Sequence, residues 1–323
     1  MHSHKEQTDE GRLLELDFLK GVLILLVIAF HLVFIEQKYP YAKLVVYTFH
    51  MPAFLVVSGF LMNFGRPVRQ FLRVQLRFFV PYLVLESGYV LMASVLPIRE
   101  HIDVLTPWGF LERLFVHPLG PYWYLQTLMV CGCAAYVVLR YVPLKLVSRV
   151  LLLAIAFSLL SRWLGVVSFF SCCYFLAGVV LRQSGVAFRA FFQPSLLAFV
   201  AFCMLVVRAE NLLPSSAGGV LVIWLAVSII LCLHRWAGRR VAALLCFLGR
   251  RTLPLFLYSP IFTLLCKPLA RWLQAEPTGL LFLLIALGVC VGGSLAVSFV
   301  VRRCLLLLFC KDFVLKFRPE KGG

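Results

Sequence analysis

The chain has 323 residues, 62% of them apolar and 14% charged, with 31 Lys and Arg against 14 Asp and Glu. A soluble core of this size carries far more charge, so the composition excludes a water-soluble globule and points to an all-α integral membrane protein. The net charge of +17 invites a nucleic-acid reading, but the basic residues cluster in short links between apolar runs, a pattern that membrane topology explains, so the expected partner is the lipid bilayer and not nucleic acid.

Residues 1–15 form a polar N-terminal segment, and its His2 and His4 carry no assignment. The apolar run that follows lacks a small-residue cleavage pattern and is too long for a signal peptide, so it stays as span one, about residues 16–35. It is interrupted by Asp17 and Lys20 near its start and His31 near its far end. Asp17 and Lys20 share a helix face. Lys20 and His31, eleven apart, are separated by three turns plus roughly 20° and a rise of about 16 Å. The three therefore lie on one stripe, with Lys20 at one membrane surface and His31 well across. Ionisable groups inside a span face a protein interior or a wet cavity. The plainer alternative has His31 bonded to a neighbouring helix and Asp17 and Lys20 as interfacial anchors.

A short link leads to span two, about 44–64, which holds Phe49-His50-Met51-Pro52 and Ser58-Gly59-Phe60. Arg66, Arg69, Arg73 and Arg77 then recur at three- and four-residue intervals, which makes one basic helix face. Span three runs on to about residue 96 and carries Glu86, with Tyr82 and Gln126 as candidate partners. Glu86 is either structural or a helper in the site. The loop 97–121 holds His101, Asp103, Trp108, Glu112 and His117, read as solvated. Span four opens on Pro121-Tyr-Trp-Tyr-Leu-Gln126, where Trp123 is either an interface anchor or a platform for a sugar ring.

Spans five and six, about 150–160 and 166–181, are joined by a tight turn at 161–165. Span seven covers about 195–207 and span eight ends near His234. Residues 235–251 are a basic link with an amphipathic middle. Span nine, 252–266, is short, contains two prolines and reads as broken or re-entrant. Span ten runs from about 279 to 303, and the tail 304–323 begins apolar and turns basic, suited to the membrane surface. Residues 16–303 thus make one membrane domain of about ten transmembrane helices. Both termini are placed in the cytoplasm because that orientation puts most Lys and Arg inside. No internal repeat is evident, which weighs against a repeat-built transporter.

Consecutive antiparallel spans pack side by side, so His31 and His50 are expected at similar depth. A neutral His accepts a proton from a hydroxyl and makes the oxygen nucleophilic. Two His without a matching thiolate or carboxylate cluster make a poor metal site. The eleven Cys lie mostly within apolar runs, and Cys131-Gly-Cys133 and Cys172-Cys173 lack zinc-site spacing, so no metal is expected. The arginine face suits phosphate through its planar fork of donors, so a phosphorylated cytosolic cofactor could rest there while a long arm reaches toward His31. Topology and anionic lipid alone would also account for those arginines.

Several stretches resemble the polytopic membrane acyltransferases of acyltransferase family 3. They are Glu15-Leu-Asp17-Phe-Leu-Lys20-Gly21 with His31 eleven residues after Lys20, Phe49-His50-Met51-Pro52-Ala53-Phe54, and Ser58-Gly59-Phe60-Leu61. The Arg69/Arg73/Arg77 helix into Pro81-Tyr82, Tyr122-Trp123-Tyr124-Leu125, and Gly249-Arg250-Arg251-Thr252-Leu253-Pro254 complete the series in family order. The resemblance implies an O-acyltransferase of the bacterial cytoplasmic (inner) membrane. It would move an acyl group, commonly acetyl, from cytosolic acyl-CoA to a hydroxyl of a sugar or cell-surface glycan. His31 would be the catalytic base, Lys20 its motif partner and Asp17 the group that orients Lys20 or an arginine, with His50 a further catalytic candidate. Arg69, Arg73 and Arg77 would handle the acyl donor, and Glu86, Trp123 and Tyr124 the acceptor.

Two positions depart from the family pattern. Lys20 stands where Arg is common, giving up a bidentate fork, and Ser259 stands where a His is common in span nine. The rival readings are a transporter or flippase for a sugar or lipid head group using the same polar residues, and a catalytically dead relative kept as a binding partner.

Overall fold

The computed structural model describes residues 2–96, 100–273 and 276–308, and within them every regular element is helical, with no strand. The reading of the tail as a surface segment falls, for residues 309–323, outside the described residues. In chain order the helices begin with α1 (His2–His31), α2 (Val33–Lys38), α3 (Pro40–Leu61), α4 (Val68–Val95) and α5 (Pro107–Phe115). They continue with α6 (Trp123–Tyr141), α7 (Leu146–Leu159), α8 (Phe169–Gln183), α9 (Phe188–Phe192) and α10 (Leu197–Val206). The last are α11 (Ala217–Trp236), α12 (Arg239–Gly249), α13 (Thr252–Leu265), α14 (Lys267–Trp272) and α15 (Leu280–Leu308).

Among the described residues six segments are long and apolar enough to cross a membrane: Pro40–Leu61, Val68–Val95, Gly120–Tyr141, Leu146–Leu164, Ala217–Trp236 and Leu280–Cys304. Taken as one broken span, helices α12 and α13 make a seventh candidate. The sequence reading put the broken or re-entrant segment at 252–266, but α13 runs unbroken over Thr252–Leu265 with Pro260 inside it, and the break lies ahead of it. The expected ten spans are not reached by these criteria, for physical reasons at each missing one. The apolar part of α1 carries Glu15, Asp17 and Lys20 within a single span's length. Helix α8, with 15 residues, is about 22 Å long, and α10, with ten, about 15 Å, against a hydrocarbon core of about 30 Å.

Other boundaries also moved. Helix α1 stops at His31, because Leu32 adopts an extended conformation (ψ 109°) before α2 begins. Neither Gly nor Pro marks that break, so the sequence reading ran span one through to residue 35. Helix α3 starts at Pro40, a proline well suited to a first helical turn, so His50 lies ten residues in, not six. The expected turn at 161–165 is a π-helical continuation of α7 through Leu164, stopped by Gly165 in the left-handed region (φ 63°). The loop 97–121 contains α5, whose N-cap Thr106 accepts from the Gly109 N–H at 3.0 Å.

The chain divides into two compact units: Met1–Leu23 with Tyr41–Arg250, and Ile24–Pro40 with Arg251–Gly323. In the first, α3 and α8 pack almost backbone to backbone. A Cβ on Gly178 would fall 2.0 Å from the Val56 carbonyl oxygen, and one on Gly59 would fall 2.1 Å from that of Phe175, the close approach that small residues allow between membrane helices. Helices α4 and α6 run antiparallel. Phe71 stacks on Tyr136 with ring centroids 3.8 Å apart, and at the other end Tyr82 and Glu86 hold the segment that precedes α6.

In the second unit α13 lies along α15, with the Phe262 ring occupying the space beside Gly293. Phe34 of α2 meets Phe282 edge-on at 5.0 Å. The Tyr39 hydroxyl donates to the Thr278 carbonyl at 2.6 Å. Glu276 accepts from the Leu281 N–H and from Thr278, whose hydroxyl in turn accepts from the Leu280 N–H, which caps α15. These bonds hold the exposed Glu276 carboxyl below the usual carboxylate range, the Thr278 hydroxyl foremost.

Candidate active site

Four of the sequence-derived groups lie in the first unit, at separate places. At the start of the apolar part of α1, the Asp17 carboxylate carries two cations. Lys20 Nζ lies 2.7 Å from Oδ1, and Arg250 Nη1 lies 3.8 Å from Oδ2. Asp17 and Lys20 are mostly buried and Arg250 is about half exposed. Two residues before, Glu15 pairs with Arg189 at 2.7 Å. The backbone explains why Arg250 can reach. Helix α12 ends against α1 so closely that a Cβ on Gly249 would stand 1.7 Å from the Asp17 carbonyl oxygen, and one on Gly21 2.1 Å from that of Leu245. The early and late motifs, far apart in sequence, thus meet at one spot.

His50 is buried on α3, and its Nδ1 lies 2.7 Å from the Val46 carbonyl oxygen. A carbonyl only accepts, so Nδ1 donates to it. The Tyr47 ring lies 5.0 Å away, tilted. His31 belongs to the second unit. As the last residue of α1 it makes the same contact, Nδ1 to the Val27 carbonyl at 2.7 Å.

The arginine face forms on α4 with Arg69 and Arg73 exposed and Arg77 half-buried, while Arg66, also exposed, precedes the helix. Arg77 lies within Coulombic range of Arg73 and Arg66. Like charges held together this way favour a polyanion over a single carboxylate.

Glu86 departs from expectation. It is fully buried, and its partner is neither Tyr82 nor Gln126 but the Leu119 N–H, 2.6 Å from Oε1. Tyr82 donates to the Leu114 carbonyl (2.6 Å) and Gln126 to that of Phe115 (2.7 Å). All three side chains therefore pin the end of α5 and the strap behind it, residues 114–119, to α4 and α6. Glu86 acts on the architecture of this region through Oε1, while its buried Oε2 finds no hydrogen-bond partner among the described residues.

That strap is one wall of a cavity of about 540 Å³ in the first unit, lined by Glu100, His101, Arg113, His117, Trp123 and Gln126 among others and closed by 165–168 beyond α7. Trp123 thus has the surroundings of a binding residue. Tyr124 does not line the cavity; its hydroxyl is hydrogen-bonded to Ser58 at 2.8 Å, eight residues beyond His50 on α3. His101 and His117, read as solvated, are exposed, and they also stand on the cavity wall, 3.7 Å from Asp103 and 4.0 Å from Glu112 respectively. Nothing in their local sequence signals this, because the wall needs residues 165–168 to complete it.

Among the described residues no group of three or more His, Cys, Asp or Glu is placed to hold a metal ion. Cys131 and Cys172 meet at 3.3 Å as buried thiols between α6 and α8.

A family model described as an acyltransferase domain matches residues 13–300 of the chain. No curated protein and no solved structure matches it.

Proposed function

The chain belongs to acyltransferase family 3, and from that membership we propose a multi-pass O-acyltransferase of the bacterial inner membrane. It would transfer an acyl group, acetyl in the simplest case, from cytosolic acyl-CoA to a hydroxyl of an extracytoplasmic sugar or glycan. His31 acts as the general base. Its Nε2 takes the hydroxyl proton as the oxygen attacks the thioester carbonyl. The C–S bond then breaks, and the CoA thiolate leaves and is protonated. The observation that supports this role is the Nδ1 contact with the Val27 carbonyl, in which Nδ1 is the donor, so that the base role falls to Nε2. His50 makes the same kind of Nδ1 contact and is the second candidate.

The donor's phosphates bind at Arg69, Arg73 and Arg77, where guanidinium forks match phosphate oxygens. Asp17 orients Lys20 and Arg250 on the same cytoplasmic side. The acceptor ring lies against Trp123 in the cavity. In the first unit these subsites stand at opposite ends of α4. Arg73 and Glu86 are thirteen residues apart, about 20 Å along the helix, a large part of a membrane's thickness.

The test is label transfer in proteoliposomes from acetyl-CoA to a broad set of glycans. Intact protein should form alkali-labile glycan esters, and His31→Ala should lower the rate by about 10²–10⁴-fold. Equal transfer by both would remove His31 as the base and leave His50. Transfer by neither, with glycan moving across the bilayer, would favour a transporter.

A further inference from the structure

Gln75 is an uncharged residue on the arginine-bearing end of α4. Its side chain is 7% exposed, and neither Oε1 nor Nε2 finds a hydrogen-bond partner among the described residues. One turn earlier Phe71 is stacked on Tyr136, whose hydroxyl donates to the Arg66 carbonyl at 2.8 Å. The same face of α4 therefore presents Phe71 and Gln75 to α6. Opposite Gln75 stands Gly132, and a Cβ there would lie 3.1 Å from Gln75 Nε2 and 2.4 Å from Met62 Cε. The missing side chain leaves room that the end of Met62, just beyond α3, fills.

An amide with both ends unpaired in a protein interior is costly, whereas Leu or Met at this position would pack without that penalty. A buried amide of this kind suits a ligand that brings one acceptor and one donor. The end of Met62, which fills the space beside Gly132 next to Gln75 Nε2, is a flexible thioether on three rotatable bonds.

We propose that Gln75 reads the pantetheine arm of the acyl donor. One amide carbonyl of the arm accepts from Nε2, and the N–H of its second amide donates to Oε1, after Met62 swings aside. The assignment rests on the acyl-CoA reading above and adds to it the site's means of recognising the arm. Phosphates on the arginines and amides on Gln75, between Arg73 and Arg77 in sequence, fit a donor whose polyanionic end and amide-bearing arm are joined.

The experiment compares Gln75→Leu with the intact chain in proteoliposomes. The donors are acetyl-CoA and the acetyl thioester of 2-mercaptoethanol, which has no amide. The expected result is a fall in kcat/KM for acetyl-CoA of about 10- to 100-fold, carried by KM, the size that two lost hydrogen bonds give. The amide-free donor should react with both proteins at rates within about twofold. Equal loss on both donors, or on neither, overturns the assignment. Because the leucine removes an orphaned amide, its apo thermal midpoint should not fall, which separates this outcome from misfolding.

If the intact protein transfers from no donor, the acyltransferase reading fails. Binding then decides on Gln75 alone. Free CoA raising the thermal midpoint of the intact protein but not of Gln75→Leu supports the assignment, and equal shifts or none overturn it.

Discussion

Asp17 Oδ2 faces the Arg250 guanidinium at 3.8 Å, although the two residues sit near opposite ends of the sequence. The contact is possible because Gly249 lets the end of α12 lie directly on the Asp17 backbone. With Arg250 about half exposed, the ion pair itself adds at most about 1 kcal/mol. Its main effect is to orient Lys20 and Arg250.

Gly249→Ala is therefore expected to be worse than loss of the charge. The new Cβ would meet backbone, which cannot rotate away, so α12 must move off α1 at a cost of about 1–3 kcal/mol. A thermal midpoint several degrees lower than that of the intact protein, with acyl transfer reduced, is the expected result. Asp17→Asn should leave the midpoint within about 1–2 °C and lower transfer alone. A Gly249→Ala protein that melts with the intact chain would show that the helices do not approach this closely.

Glu86 offers a second comparison, because its bond to Leu119 needs only an acceptor oxygen. Glu86→Gln keeps that oxygen and should retain stability and activity within a few-fold. Glu86→Leu leaves the Leu119 N–H buried without a partner, which costs about 1–3 kcal/mol, and frees the strap that walls the cavity. Limited proteolysis should then cut within 114–119 in the leucine variant first, and the acceptor KM should rise while the donor KM holds. Equal behaviour of the two variants would mean that Glu86 has a role beyond its bond to Leu119.

Much of this arrangement was legible in the sequence. The helical class followed from apolar runs, and the arginine face of α4 from three- and four-residue spacing. What escaped needed contacts between distant stretches. The partner of Glu86 is a backbone N–H, which no side-chain pattern reveals. His117 joins a cavity wall only because α7 continues as a π turn to Gly165. The helix break at Leu32 has no Gly or Pro to announce it, and it makes His31, expected near the far end of span one, the last residue of its helix. Short helices such as α10 look like spans in an apolar run, because composition alone does not record where a helix stops.

Substitution of Trp123 tests whether acceptor and donor bind apart. Its indole stands in the cavity beside Arg113 and Gln126, and an aromatic face suits the C–H face of a sugar ring. Removing it should cost about 1–2 kcal/mol of acceptor binding, read as a 5- to 30-fold rise in acceptor KM for Trp123→Ala. Trp123→Phe should fall between, since a smaller ring keeps part of the stacking surface. The KM for acetyl-CoA should stay unchanged in both, because the donor's arginines lie toward the other end of α4. A rise in donor KM matching that for acceptor would place Trp123 in the scaffold, as an anchor of α6, and would move the sugar site out of this cavity.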